Sequence, residues 1–244
     1  MDLVKYYTEH SPHSLISQEF ADTFAGTPNE IFARVRKKMI HPCENPSNFD
    51  RTNWPKIKVA AEIERDFTTH EICFGTCRKY ALASVAVLRS KGFAARCRCG
   101  FATYFDAGWY EDHWVVEYMD KGKWHLADAQ TMRVDLMRGQ FIDGATAWKL
   151  VRERGFDANA FGFSGQAFFE HGMNYVVGQL IRDASGMLKR ELNYEQIVRF
   201  VKSAANLSPT EIERYDHIAD LILAEDIENL EREYDKIIGY MTNV

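Results

Sequence analysis

The stretch Gly75-Thr76-Cys77-Arg78-Lys79-Tyr80-Ala81-Leu82-Ala83-Ser84-Val85-Ala86-Val87-Leu88-Arg89-Ser90-Lys91-Gly92 decides how the rest of the chain is read. From Cys77, the residues Ala81, Val85 and Leu88 recur at four- and three-residue steps, the spacing of a helix that buries one face. Gly92 ends it. Immediately afterwards the period changes. Phe93, Ala95, Cys97, Cys99 and Phe101 alternate with Ala94, Arg96, Arg98 and Gly100, which predicts a strand within 93–105. A helix followed by a strand of this kind, with two further strands close behind, points to an α+β chain.

Those further strands are His113 to Met119 and Trp124 to Ala129, joined by Asp120-Lys121-Gly122-Lys123. That join is a hairpin signal. If it is a four-residue turn, Met119 faces Trp124. Asp128 then lies opposite Val115, on the same face as His113 and one diagonal step away. Were the turn centred on Asp120-Lys121, the two would be directly opposite. A shift of one residue would send them to opposite faces.

Upstream, Thr27-Pro28-Asn29-Glu30 combines an N-cap, a proline at the first helical position and a capping-box glutamate. A helix is expected from there to about Ile40, stopped by His41-Pro42. Asn45 to Pro55 reads as loop. Downstream of Ala145 the pattern is helical: Ala147–Arg154, Met173–Leu188, Tyr194–Ala204 and Thr210–Met241, the last divisible into two pieces.

The chain has 244 residues, 46% apolar and 27% charged, with 30 Lys and Arg against 35 Asp and Glu for a net charge of −5. This is the composition of one large globular domain, expected over 1–244, with a catalytic core at 65–135 and a helical extension at 145–244. The weak acidity argues against general nucleic-acid binding and against attraction to anionic membrane. With no apolar run of membrane-spanning length and no leader-like N-terminus, a cytoplasmic location is expected. The charge is uneven. Residues 209–243 hold ten acidic and three basic side chains, net −7, leaving +2 for the remainder. Because Ile212, Tyr215, Ile218 and Ile222 fall on one helical stripe, this segment reads as a solvated amphipathic helix rather than an acidic interaction tail.

The five cysteines, Cys43, Cys73, Cys77, Cys97 and Cys99, do not form a disulfide framework pattern. Cys97 and Cys99 read as core. Cys77 opens a helix, where the dipole and the unpaired backbone N–H groups stabilise negative charge on sulfur and could hold a substrate oxyanion. With His113 and Asp128 it supplies a nucleophile, a base and an orienting carboxylate. Trp109 and Tyr110, just before the histidine, and Gln130, just after the aspartate, are candidates to line a substrate cleft. A zinc site built from Cys73, Cys77, Cys97, Cys99 and His113 is a weaker alternative, because C-x3-C with C-x-C departs from the usual zinc spacing.

Three segments also resemble a known family. Phe74-Gly75-Thr76-Cys77-Arg78-Lys79-Tyr80-Ala81 with Leu88 to Arg96 is similar to the nucleophile helix and following strand of the transglutaminase-like superfamily. His113-Trp114-Val115-Val116-Glu117-Tyr118 is similar to its histidine strand, and Gly122 to Ala129 to its aspartate strand. The likeness covers roughly 70–130 and is nearest to bacterial members of uncharacterised function, some of which share Asn174 to Asp183. It departs from them at Ala129-Gln130, where many members have Pro-Thr, and no side-chain oxyanion donor is evident upstream of Cys77. The resemblance implies a papain-like core, a Cys-bearing helix packed on an antiparallel sheet. It also implies cofactor-free, metal-free acyl transfer from a small amide, peptide or protein substrate through a Cys77 thioester, to water or to an amine. A non-catalytic binding module that retains the cleft is the alternative in another class.

Overall fold

The computed structural model describes residues 1–44, 59–164, 170–192 and 207–242. The expected loop at Asn45–Pro55 and helix at Tyr194–Ala204 lie mainly or wholly outside them. In chain order the elements begin with three short helices, α1 (Leu3–Thr8), α2 (Gln18–Asp22) and α3 (Pro28–Lys37). The two-residue strand β1 (Met39–Ile40), helix α4 (Ala60–Thr69) and strand β2 (Cys73–Phe74) follow. Then come helix α5 (Cys77–Ser90) and strands β3 (Ala95–Ala102), β4 (Tyr110–Asp120), β5 (Lys123–Ala127) and β6 (Phe141–Asp143). Helix α6 (Gly144–Arg154), strands β7 (Phe161–Phe163) and β8 (Glu170–His171) and helix α7 (Met173–Met187) lead to two C-terminal helices, α8 (Pro209–Leu223) and α9 (Ile227–Thr242). The chain is α+β with a sheet at its core. Among the described residues no helix is long and apolar enough to cross a membrane.

The capping box at Thr27 and Glu30 is present, and α3 ends at Lys37 rather than Ile40. The reason is tertiary. Met39 and Ile40 leave the helix to pair in parallel with Cys73 and Phe74. That pairing brings His41 level with Gly75, at the entrance to α5. Gly75 does not take a left-handed conformation there. What it supplies is room, since a Cβ would sit 2.4 Å from Met39 Sδ.

Helix α5 is buried on every side from Arg78 to Arg89, so its cations must be satisfied internally. Lys79 Nζ reaches Asp66 at 2.7 Å, the Phe74 carbonyl at 3.0 Å and Cys73 Sγ at 3.2 Å. Arg78 Nε donates to the Glu191 carbonyl at 3.1 Å. Arg89 donates to the Ala95 carbonyl at 2.9 Å and to Ser14 Oγ at 2.8 Å. These bonds fasten the thiol-bearing helix to the N-terminal segment, to β2 and to the chain after α7.

The six-stranded sheet has the order β6-β3-β4-β7-β8, with β5 also on β4. Strand β4 is its axis. One edge pairs with β3 from Glu111 to Tyr118, and the other is shared. There β7 takes Tyr110 and Glu111, and β5 takes Val116 to Asp120. Between them, residues 112–115 have no strand partner on that edge among the described residues. Met119 faces Trp124, the register expected of the hairpin, with Lys121 (φ 49°) and Gly122 (φ 78°) forming its tight turn.

Helix α7 closes the other edge, beside β3. Asp183 Oδ1 accepts from the Cys99 backbone N–H at 3.1 Å and from Arg98 Nε at 2.8 Å, and Gln179 Nε2 donates to the Gly100 carbonyl at 3.0 Å. Cys97 and Cys99 are fully buried, as expected of core positions.

The segment 209–223 and 227–242 is indeed two helices, and Tyr215, Ile218 and Ile222 are buried. Its acidic side is not solely solvated. Asp220 pairs with Lys149 at 2.7 Å, Asp216 with Arg152 at 3.6 Å, Glu231 with Arg190 at 2.7 Å, and Glu225 with Arg96. Part of the −7 of this region is therefore the counter-charge of the rest of the chain.

Helix α7 can lie this close to β3 because of Gly186, where a Cβ would fall 2.5 Å from the Cys97 carbonyl oxygen. Backbone on both sides leaves nothing to swing aside. Gly186→Ala should lower unfolding free energy by about 1–3 kcal/mol, read as a reduced urea midpoint at unchanged slope.

Candidate active site

The register of β4 and β5 brings His113 and Asp128 together. Val116 faces Ala127, so Asp128 emerges beside Val115, one diagonal from His113. His113 Nε2 lies 2.9 Å from Asp128 Oδ2. A carboxylate only accepts, so Nε2 carries the proton and donates. The Cys77 thiol is close enough to the same ring to help raise its pKa. With Nε2 engaged by Asp128, Nδ1 is the ring nitrogen available to the thiol.

Asp128 is 1% exposed and accepts from five groups. Besides His113, Tyr104 Oη donates to Oδ2 at 2.7 Å and Thr131 Oγ1 at 2.6 Å. The backbone N–H groups of Gln130 and Thr131 donate to Oδ1 at 2.8 and 3.1 Å. Burial alone would raise the pKa of this carboxyl. The His113 charge and the ring of donors outweigh it and hold the carboxyl far below the usual carboxylate range. For His113, burial is again the largest single influence and lowers its pKa. Asp128 and the Cys77 thiol together overcome it, and the imidazole is raised well above its ordinary value.

A second histidine lies next to this pair. His41 is buried, and its Nδ1 accepts from the Cys43 backbone N–H at 3.2 Å. Burial and the neighbouring His113 charge lower its pKa to about 4, so it is a neutral imidazole near pH 7. In the sequence His41 signals only the end of a helix, because its place at the site depends on the two-residue β1–β2 pairing. Tyr104 and Phe105, from the β3–β4 loop, stand edge-on to His113 at 6.2 and 5.1 Å between ring centres. Arg133 caps the Tyr104 ring at 4.6 Å.

The cleft candidates separate. Gln130 is buried beside Asp128, and its Oε1 has no hydrogen-bond partner. Trp109 is half-buried, with Nε1 2.5 Å from Glu111 Oε2. Tyr110 does not join them. It stacks on Phe161 at 4.3 Å, because strand alternation points Glu111 and His113 one way and Tyr110 the other. Glu111, which sequence inspection passed over, takes its place. It is 9% exposed and accepts from Ser164 Oγ at 2.7 Å and Ser164 N–H at 3.1 Å as well as from Trp109. Burial raises its pKa, and these donors oppose the rise.

Cys43 stands near both Glu111 and Cys77. Burial first, then those two groups, push its thiol up to about 11. Cys73 has its pKa raised chiefly by burial and is held by Lys79. Among the described residues, no three His, Cys, Asp or Glu side chains gather as a metal site.

Comparison with known proteins finds one family. Residues 22–129 match the model of the transglutaminase-like superfamily, a span that contains Cys77, His113 and Asp128 and begins well before the likeness evident by eye. Over that span the chain is similar to the transglutaminase-like superfamily. Its α+β sheet core is consistent with the papain-like form of that superfamily. No curated protein matches. Among solved structures, a candidate cysteine protease from Cytophaga hutchinsonii is similar at 16% identity with a TM-score of 0.42, covering 59% of this chain. This chain spans 46% of that one.

The charged pair makes stability depend on pH in a definite way. Asp128 titrates lower folded than unfolded, so its contribution is present above about pH 4 and lost as pH falls towards its folded value. His113 titrates higher when folded, so its contribution is full below about pH 6.5 and lost as pH rises through its folded value. Urea unfolding of wild type and Asp128→Asn should therefore differ most between about pH 4 and 6.5 and converge on both sides.

Proposed function

We propose that the chain is a cysteine acyl hydrolase acting on an amide. The observation that carries this is the shared imidazole. One nitrogen of His113 is held 2.9 Å from Asp128 and the ring also meets the Cys77 thiol at the start of α5. A transglutaminase-like core supports a thiol-dependent hydrolase or acyltransferase in general terms.

In this mechanism Cys77 gives its proton to His113 Nδ1, a transfer that the raised imidazole pKa favours, and the thiolate attacks the amide carbonyl carbon. Negative charge builds on the carbonyl oxygen next to the N-terminus of α5. Thr76 makes no side-chain capping bond there, and the first-turn N–H groups can stabilise that charge. Collapse breaks the C–N bond, and the imidazolium returns its proton to the departing amine. Water, deprotonated by His113, then attacks the thioester carbon and releases the acid and the thiol. Asp128 keeps the ring in the tautomer that the first step needs and stabilises the imidazolium formed in it. Neutral His41 adds no competing charge beside it.

Iodoacetamide near pH 7 should label Cys77 ahead of the other four cysteines, as mapped by mass spectrometry. His113→Ala should slow that labelling at least tenfold. Across a library of amides, Cys77→Ala should abolish release of amine, and Asp128→Asn should lower turnover by about 10³–10⁴-fold. A Cys77 that reacts no faster than an ordinary exposed thiol would falsify this mechanism. Amine exchange in place of acid release would assign transamidation.

A further inference from the structure

Glu111 has a property that its structural contacts leave unexplained. It is buried, it sits two residues before His113 on β4, and every group bonded to it is a donor: Trp109 Nε1, Ser164 N–H and Ser164 Oγ. Burial raises its pKa, and these three contacts favour the carboxylate form against that rise. Yet no Lys, Arg or His forms an ion pair with it among the described residues. The other buried acids near the sheet have cations. Asp183 has Arg98, Glu117 has Arg96 and Arg98, Asp112 has Arg182, and Asp128 has His113. A buried charge with hydrogen bonds but no counter-charge is expensive, and fastening the Ser164 strand end would require only a neutral acceptor.

Strand alternation puts Glu111 on the face that carries His113, about 7 Å along β4. Cys43 lies near enough to both Glu111 and Cys77 for each to raise its thiol pKa, burial being the larger cause. A buried acceptor without a donor, Gln130 Oε1, lies two residues beyond Asp128.

We infer that Glu111 is a specificity-determining residue and that it receives a primary ammonium group carried by the amide substrate, roughly one residue's length from the scissile carbonyl. This rests on Cys77 being the nucleophile, as proposed above, and adds the substrate class: amides or short peptides bearing a free amino group close to the cleaved bond. Trp109 and Ser164 fix the carboxylate, and the ammonium supplies the missing cation.

The test needs no knowledge of the natural substrate. Wild-type protein is treated with iodoacetamide in the presence of n-butylammonium or butyrate, and Cys77 labelling is followed by mass spectrometry. Butylammonium should protect several-fold and butyrate should not. Labelling is then repeated with the cationic aminoethyl and the anionic sulfonatoethyl methanethiosulfonates. The cationic reagent should be faster, and Glu111→Gln should reduce the ratio of the two rates on the order of tenfold. Asp106→Asn, a charge change on the exposed β3–β4 loop, should leave that ratio unchanged. Equal protection by both additives in wild type, or an unchanged ratio in a folded Glu111→Gln protein whose Cys77 still reacts rapidly with iodoacetamide, overturns the inference. A Cys77 that is slow towards iodoacetamide in wild type overturns instead the acyl-transfer mechanism beneath it.

Discussion

The pairing of Met119 with Trp124 is the constraint from which the site follows. A strand alternates with period two, so this one register determines whether Asp128 emerges on the side of His113 or the opposite one. Once it emerges there, the turn that follows wraps around the carboxylate, with the N–H groups of Gln130 and Thr131 on one oxygen and the hydroxyls of Thr131 and Tyr104 on the other. The carboxylate is thereby both fixed in place and kept ionised. His113 is fixed in turn through Nε2, which leaves Nδ1 for the thiol. Two positive backbone angles at Lys121 and Gly122 set the turn that sets the register.

What the sequence made legible is local. The helix from Cys77, the strand through Cys97 and Cys99 and the hairpin are written in periodicities of 3.6 and 2 and in turn chemistry. The Cys77, His113 and Asp128 constellation became visible because two of its members lie on one hairpin and the third opens a helix.

What escaped inspection depends on contacts distant in sequence. His41 joins the site through a parallel pair of two-residue strands, too short to leave a pattern. Tyr104 comes from a loop with no period to read. Glu111 was missed and Tyr110 chosen because they are neighbours, and the half-turn of a strand that separates their directions cannot be phased until the pairing with β3 is known. Gly75 gives no sign in the sequence of its place beside Met39, which it meets only through the β1–β2 pairing. The C-terminal acids look solvated in sequence because their partners, Lys149, Arg152, Arg190 and Arg96, belong to other elements.

Helix α5 is enclosed on all sides and tied at several points, so the thiol it carries has no freedom to tilt or slide. Parts of its surroundings are different: the exposed residues 105–108 of the β3–β4 loop and the end of β7 at Ser164 are surface connections on a rigid frame. Reactivity and selectivity are thus housed in separable parts of one polypeptide. A lineage could exchange or lengthen those connections, acquiring new preferences, while the sulfur and its imidazole stay in register. The enclosed helix is what gives the fold that evolutionary latitude.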